Sequence, residues 1–449
     1  MSKQTPNTST TSAGGSTRLT RPPQHVRTSS GITAHNNTSN TNELNLSSTS
    51  SSHSAVSSSD PHHQHPQQQQ QHAMYSSAVY GQRLNKSRCM APVKGDTQNN
   101  RFLVGTCSLN SNNEVHLIEF NEEENDIYCR QVYSHLNEIW SISPHPSKPK
   151  YFFTIYNTVK FGFEAALHGM SCYSDDGSCH DDDDHNNLEV ISKLEAKQFD
   201  NERVHEVLWD LNGTNDRFLT IDDKSLREFR FEKTCKFQNK YDMGGRRLRT
   251  GAWDPHHSEI VAVAAQTKII QVDLREKNNK KNLEFMAHDQ MVRDVQYNPY
   301  QPYRLASCGD DCLIKFWDVR STKEPLLVLA GHSHWISKIR FNPQYDQLVL
   351  TGGTDNKVNL WSIASISSKY KEQELEEELQ QESTTSTGVK PKKEELFDSL
   401  VHSYDEHEES VYSLCWSNTN SWTFGSVSYD GRVLMHTVPK AEKLRVLNL

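Results

Sequence analysis

The chain is poor in apolar residues. They make up 34% of its 449 residues, and the share stays below the roughly 45–50% of an average globular protein even when glycine is added. The deficit is concentrated in residues 1–77, where Ser, Thr, Asn, Gln and His predominate and residues 61–72 read PHHQHPQQQQQH. Such a segment cannot bury enough surface to offset its chain entropy. We therefore predict a disordered polar N-terminal tail over residues 1–77 and a folded region over residues 78–449.

Long apolar runs are also missing. No run of 18 apolar residues is present, which argues against a membrane-spanning helix, and no apolar segment of a signal peptide follows Met1. The nine cysteines are odd in number and scattered, which is typical of a reducing compartment. We expect a cytoplasmic protein without direct membrane insertion.

An excess of basic charge is absent as well. The chain has 48 basic and 57 acidic residues, a net charge of −9. The tail holds four basic residues against two acidic ones, which leaves −11 for residues 78–449. Binding to a phosphate backbone needs clustered Lys and Arg, so we expect no nucleic-acid partner.

The sequence lacks the spacings of known metal and cofactor sites. Cys172, Cys179, His180 and His185 lie in an acidic segment, but without the paired spacing of zinc ligands or the fixed Gly and Glu of a calcium loop. No phosphate-binding glycine loop is present either. We predict a protein that is not an enzyme and has no catalytic, metal or cofactor-binding residues.

Short runs typical of β-strands fill the middle of the chain instead. Examples are RLASCG from Arg304, LIKFWD from Leu313, QLVLTGG from Gln347 and KVNLWS from Lys357. They are rich in β-branched and aromatic residues and are bounded by Asn, Asp, Gly or Pro, which is the signature of strands.

These runs belong to a repeat. In two units a His is followed at 19, 23 and 29 positions by Ser or Thr, Asp and Trp, and a third unit has His instead of the Trp. Two weaker copies of the repeat lie 44 and 88 residues before the first of these units. Another weak copy begins at His135, and an apolar first unit starts at Val79 with VYGQRL. The chain therefore contains seven units. The repeated residues are His288, Ser307, Asp311, Trp317, His332, Thr351, Asp355, Trp361, His407, Ser426 and Asp430.

The repeated set has the chemistry of a buried hydrogen-bond relay. An indole N–H can only donate, a hydroxyl can link it to imidazole, and a carboxylate can accept from the imidazole. A His-Ser-Asp triad for acyl transfer is the alternative, but a catalytic site occurs once, whereas this set recurs and is closed by Trp. We interpret it as structural.

A period near 44 with four strands and a terminal Trp resembles the WD repeat of β-propellers. The resemblance implies an all-β, seven-bladed WD-repeat β-propeller over residues 78–449. Excess residues between units place loop insertions at 171–187 and 366–397, and residues 369–382 within the second favour a helix. Such loops often carry function.

Some segments depart from the general repeat. They include VYGQRL from Val79, RFLVGTCS from Arg101, MVRDVQYNP from Met291, LASCGDDCLIKFWDVR from Leu305 and HSHW from His332. In these the chain resembles the WD-repeat proteins that interact with the endosome-associated recycling protein (EARP) and Golgi-associated retrograde protein (GARP) vesicle-tethering complexes. This likeness implies a monomeric, non-enzymatic adaptor that binds tether subunits. It would act in protein transport at endosomes and the trans-Golgi network, in endosomal recycling and retrograde transport.

The resemblance also implies a binding face. In WD propellers the narrow face is lined by residues three, five and twenty-two after each repeat His, and Trp, Tyr and Arg predominate in interface hot spots. The residues predicted for this face are Trp335, Ser337, Thr354, Met291, Arg293, Asp310, Tyr412, Tyr429, Trp140 and Arg203.

A second function is left open by one motif. Residues 317–320, Trp-Asp-Val-Arg, match the WDxR pattern of WD proteins that serve as substrate receptors of cullin-type ubiquitin ligases. Such a receptor would depend on Arg320.

Overall fold

The structure is a computed structural model that describes residues 77–81, 86–109, 112–158, 160–173, 188–210, 216–276, 282–369 and 398–447. The described residues form seven four-stranded antiparallel sheets. The first strands of successive sheets contact one another around a ring, so the sheets are the blades of a seven-bladed β-propeller, which confirms the predicted fold class. Nearly all of the predicted tail, most of the predicted helix and residues 174–187 and 370–397 of the insertions lie outside the described residues.

Each of blades 1 to 6 consists of four consecutive strands, from the centre outwards. Blades 1 to 3 contain β2 (Ser87–Pro92), β3 (Arg101–Thr106), β4 (Asn113–Asn121), β5 (Asp126–His135), β6 (Glu138–Pro144), β7 (Tyr151–Thr158), β8 (Gly162–Gly169), β9 (Glu189–Leu194), β10 (Val204–Trp209), β11 (Arg217–Asp222), β12 (Ser225–Phe231) and β13 (Cys235–Asp242). Blades 4 to 6 contain β14 (Leu248–Trp253), β15 (Ile260–Ala265), β16 (Lys268–Asp273), β17 (Leu283–Met286), β18 (Val292–Tyr297), β19 (Arg304–Gly309), β20 (Leu313–Asp318), β21 (Leu327–Ala330), β22 (Ile336–Phe341), β23 (Leu348–Gly353), β24 (Val358–Ser362) and β25 (Ser399–Tyr404). Two 3-10 turns, η1 (Ala196–Phe199) and η2 (Ala364–Ile366), lie between strands.

Blade 7 joins the two ends of the described chain. It contains β26 (Val411–Trp416), β27 (Thr423–Ser428), β28 (Val433–Thr437) and, outermost, β1 (Ala78–Tyr80). The assignment of the Val79 segment to the first blade is therefore wrong: Val79 pairs with Leu434, and β2 is the innermost strand of blade 1. Pairing across the ends covers the edge that β28 would otherwise expose.

The core lies between blades. Ile314 and Phe316 of blade 5, for example, pack with Ile336 and Ile339 of blade 6 in one buried cluster. Because a single blade cannot bury its faces alone, the sheets stabilise one another only as neighbours. The last described element is the helix α1 (Lys440–Leu447), which places Val446 in the cluster formed by blades 6 and 7.

The strand directions give the propeller two different faces. We call the end where the first strand of each blade begins the top face; turns between second and third strands also lie there. Both insertions connect a third strand to a fourth, β8 to β9 and β24 to β25, so they leave and rejoin the blades at the opposite, bottom face. Helix α1 follows the third strand β28 and begins at the bottom face too. The top face is thus built from short connections.

Candidate protein-binding face

The predicted relay residues of blade 5 lie within hydrogen-bond distance of one another. His288 Nδ1 is 2.8 Å from Asp311 Oδ1, and His288 Nε2 is 2.8 Å from Ser307 Oγ. Trp317 Nε1 donates to the same Ser307 oxygen at 2.9 Å. Since a carboxylate only accepts, the proton of His288 sits on Nδ1, and Nε2 accepts from the Ser307 hydroxyl. Every polar atom along this chain of contacts has a partner.

Blade 6 has the same arrangement. His332 Nδ1 lies 3.0 Å from Asp355 Oδ1, and His332 Nε2 lies 2.8 Å from Thr351 Oγ1. Trp361 Nε1 donates to Thr351 at 2.8 Å. In both blades burial raises the pKa of the Asp carboxyl, but the hydrogen bonds donated by the His and by a nearby backbone N–H lower it more, and the net pKa lies below the ordinary value.

Blade 7 departs from the predicted relay. His407 Nε2 lies 2.7 Å from Ser426 Oγ, but its Nδ1 contacts Ser428 Oγ at 2.8 Å. Ser428 in turn donates to Asp430, so the prediction that Asp430 accepts directly from the His is wrong here. The extra hydroxyl bridges the gap. His436, which stands in the place of Trp, lies 3.2 Å from Ser426.

Two further blades keep a buried polar centre with other residues. In blade 2, Thr154 links His135 to His168 at 3.3 and 2.8 Å, and burial together with the charge of His135 lowers the pKa of His168 to about 3. In blade 3, Arg227 donates to Asp222, which is fully buried, at 2.8 Å and to Asp200 at 2.7 Å. An ion pair replaces the relay in that blade.

Most of the residues predicted for the binding face lie at one end of a central channel of about 780 Å³. Trp140, Arg203, Arg293, Trp335, Ser337, Thr354 and Tyr412 line it. Trp335 is 42% exposed, and Arg293 stacks on its ring at 4.7 Å. Arg293 also donates to Asp310 at 2.8 Å, which brings two predicted residues of one blade into contact.

The other predicted residues have mainly local contacts. Tyr429 packs edge-on against Tyr412, with ring centroids 5.8 Å apart. Met291 receives the backbone N–H of Asp310 on its carbonyl oxygen. The Ser337 hydroxyl lies within hydrogen-bond distance of backbone oxygens of its own and the next blade, that of Gly352 at 2.9 Å and that of Val411 at 2.6 Å. The Ser337 hydroxyl thus ties two blades together.

An arginine that sequence reasoning missed joins three blades at this end. Arg88 of β2 lies over the rings of Trp140 and Tyr412, at 4.3 Å from each centroid. Arg203 stacks on the other side of this cluster, 4.7 Å from Trp140 and 4.1 Å from Phe163. Arginine stacked on aromatic rings holds its guanidinium in place while the N–H edges remain available.

A second missed residue is Arg249 of β14. It stands five positions after Gly244, which lies 44 residues before His288 and starts one of the two weaker copies of the repeat. The rule that predicted the other face residues would therefore have found Arg249 in this unit. Burial and the nearby charges of Arg293, Arg203 and Arg88 lower the pKa of Arg249 to about 10. Arg88 could not be found this way, because the first unit was placed in the wrong register.

The top face also exposes large apolar side chains. Leu109, Leu136 and Phe161 are 85%, 83% and 66% exposed, and they lie in top-face connections of blades 1 and 2. Exposed apolar groups beside stacked Trp and Arg are typical of protein interaction sites.

Arg320 of the WDxR motif lies at the bottom face, after β20. Its Nη2 donates to Asp318 at 2.6 Å, and its guanidinium lies 4.9 Å from the ring of Tyr303. The Arg320 side chain is 60% exposed. Arg320 and the channel mouth are therefore on opposite faces.

Within the described ranges, no group of three His, Cys, Asp or Glu residues has a geometry suited to a metal ion. Of the acidic segment noted in the sequence, Cys172 is buried, where Tyr133 donates to its Sγ at 3.1 Å. The other three candidate ligands lie outside the described residues. Among the helices that the structure describes, none is long and apolar enough to cross a membrane.

Seven four-stranded blades, two of which carry the full His-Ser/Thr-Asp-Trp relay, define a WD-repeat β-propeller. The model of the WD domain, G-beta repeat matches residues 398–436, and that of the EIPR1 beta-propeller matches residues 74–361.

The chain belongs to the EIPR1 beta-propeller family, which confirms the resemblance that its motifs indicated. It is 34% identical over 383 residues to "EARP and GARP complex-interacting protein 1" of Macaca fascicularis, and equally to that of Homo sapiens, covering 82% of this chain and 98% of each relative. It is also 34% identical over 357 residues to "WD repeat-containing protein DWA2" of Arabidopsis thaliana, covering 79% of this chain and 94% of that protein.

Proposed function

We propose that this protein is a non-enzymatic adaptor that binds EARP- and GARP-type tethering complexes through its top face. In this proposal it supports their recruitment to endosomal or trans-Golgi membranes, and it acts as a monomer. The proposal rests on relatives that this chain matches over nearly their whole length and that are named for interaction with these two complexes.

The cluster at the channel mouth supports the choice of face. Trp335, Tyr412 and Trp140 come from different blades, and each has an arginine stacked on its ring. Large aromatic and arginine side chains lose little conformational entropy on binding when they are already held by packing. The bottom face instead carries both long insertions.

Affinity purification of the full chain tests the face. We expect Trp335→Ala combined with Tyr412→Ala to reduce recovery of tether subunits at least about tenfold, since hot-spot truncations each cost about 2 kcal/mol or more. The matched control is Tyr300→Ala with Leu326→Ala, which removes two exposed bottom-face side chains and is expected to leave recovery unchanged. Equal recovery from both variants, with melting temperatures unaltered, would reject the top face.

Recruitment is tested separately in cells. We expect the membrane-bound fraction of tether subunits to fall when the protein is depleted and to return with the wild-type chain, but not with the top-face variant. An unchanged fraction after depletion would reject the recruitment step while leaving binding intact.

The ligase-receptor hypothesis stays a prediction. It requires that a cullin adaptor co-purifies with the chain and is lost on Arg320→Ala, a bottom-face change. Because the two hypotheses use opposite faces, the top-face variant separates them.

A further inference from the structure

The channel carries a charge opposite to that of the propeller around it. Residues 78–449 have a net charge of −11, yet among the described residues seven Lys and Arg line the channel against two carboxylates, Glu206 and Asp294. Because low-dielectric walls focus the field of the charges that line a cleft, an anion would be drawn to this channel in spite of the acidic surface.

Both of these carboxylates are engaged within the channel. Glu206 accepts from Thr250 Oγ1 at 2.6 Å. Asp294 accepts from the backbone N–H of Ile339 at 3.0 Å and from Arg340, and Lys338 lies 3.7 Å away. Among the described residues, neither carboxylate forms an ion pair with an arginine at the top of the channel.

The mouth holds four arginines, each on a different blade: Arg88, Arg203, Arg249 and Arg293. Arg293 pairs with Asp310. Among the described residues, no carboxylate lies within ion-pair distance of Arg88 or Arg249. The guanidinium of Arg88 packs on the rings of Trp140 and Tyr412. Its N–H edges therefore stay available for a ligand.

Mutual repulsion makes this arrangement costly without an anion. The pKa of Arg249 falls through burial and then through the charges of Arg293, Arg203 and Arg88, against the opposing charge of Asp310. The pKa of Arg203 falls through burial and the charge of Arg88, against the opposing charge of Asp223. Like charges brought together in a partly buried site are relieved by a bound counter-charge.

We propose that the channel mouth binds an acidic, Asp- and Glu-rich segment of a partner protein, whose carboxylates pair with Arg88, Arg203 and Arg249. This inference rests on the proposed adaptor function and specifies the chemistry of the partner.

Two features favour an extended peptide. The arginines are spread over blades 1, 3, 4 and 5, which suits carboxylates spaced along a chain, each taken by one guanidinium fork. Exposed Leu109, Leu136 and Phe161 lie at the same face and can receive apolar residues that flank the acidic ones. The chain's own acidic insertions are attached at the bottom face, so a partner is the better occupant.

The test is fluorescence anisotropy with the full chain and a labelled Glu-rich peptide. The peptide has about ten residues and spans about 33 Å when it is extended at about 3.3 Å per residue. We expect binding that weakens with salt, no binding of the matching Gln peptide, and at least about tenfold weaker binding by Arg88→Gln with Arg249→Gln. The control, Arg275→Gln with Lys323→Gln, removes two bottom-face charges and is expected to bind like wild type.

Three results would overturn the inference: equal binding by the mouth variant and wild type, tighter binding of a phosphoserine peptide, or binding of inositol hexakisphosphate alone. If the double variant does not fold, Arg249→Gln serves, because Arg249 stacks on no aromatic ring of the described residues; at least about threefold weaker binding is then expected. The outcomes are distinguishable from failure of the proposed function. One such outcome is tether recovery that is lost in Trp335→Ala with Tyr412→Ala and retained in the arginine variant. That result would support the adaptor function and would reject the proposal that an acidic segment binds at the channel mouth.

Discussion

Replacing Ser307 with alanine removes one oxygen that serves two buried partners. The hydroxyl accepts from Trp317 and donates to His288, and Ser307 and Trp317 are 0% and 3% exposed, so water cannot take its place. Each unsatisfied buried group costs about 1–3 kcal/mol. We therefore expect Ser307→Ala, which leaves two such groups, to lower the free energy of unfolding by about 2–6 kcal/mol.

A double-mutant cycle isolates the relay from packing. Trp317→Phe removes the indole donor and some buried surface. When Trp317→Phe has already removed the indole N–H, Ser307→Ala leaves only His288 without its partner. The loss of unfolding free energy in the double variant should therefore be about 1–2 kcal/mol smaller than the sum of the losses in the two single variants.

The measurement is chemical denaturation of the full chain followed by far-ultraviolet circular dichroism. The matched control is Ser413→Ala, a buried serine that donates to one backbone oxygen, that of Met90 at 3.0 Å; about 1 kcal/mol is expected. The relay would be refuted if Ser307→Ala cost no more than Ser413→Ala, or if the two changes in the cycle added within about 0.5 kcal/mol.

Three other perturbations test the ring and its buried charges. Deleting residues 1–80 removes β1 and is expected to lower the free energy of unfolding by about 3 kcal/mol, about one for each of the three residues that pair with β28; deletion of residues 1–76 keeps β1 and should leave the melting temperature nearly unchanged, and equal melting of the two would contradict the closure. Arg227→Met leaves Asp222 buried without its cation, and we expect a loss of about 3–5 kcal/mol in thermal denaturation; a loss under about 1 kcal/mol would show that the pair does not matter. Burial lowers the pKa of His407 to about 4, so the unfolded chain binds the proton first as pH falls below about 6.5. Stability should then decrease by up to about 3 kcal/mol between pH 6.5 and 4, and His407→Asn should flatten this dependence; an identical slope would contradict the assignment.

The turns beside the relay show how a local pattern fixes local structure. The residue after the relay Asp adopts positive φ in all three units: Cys312 at 62°, Asn356 at 66° and Gly431 at 88°. The tight turn there brings the Asp back toward the His of the same blade. All relay members lie within 29 positions in the sequence, so the fixed spacing was enough to predict which side chains meet in blades 5 and 6.

The fixed spacing of the repeat did not predict the contacts in blades where other residues surround the buried polar centre. In blade 7 the Ser428 hydroxyl takes the place of the Asp430 carboxylate beside His407. In blade 3 no His-Ser-Asp-Trp pattern is present, and the Asp222–Arg227 pair became visible only when the strands were paired. A buried ion pair has no fixed spacing, because long side chains reach partners at several separations.

The sequence by itself determined the number of blades, the relays within blades 5 and 6 and most of the top-face residues, because these depend on contacts within one repeat. Only the tertiary structure decided the closure by β1 and the arginine cluster at the mouth. Arg88 meets Trp140 and Tyr412 because blades 2 and 7 both adjoin blade 1 once the ring is closed. Arg88 and Tyr412 are far apart in the sequence and come together because the two ends of the chain pair. No pattern within one repeat indicates that pairing.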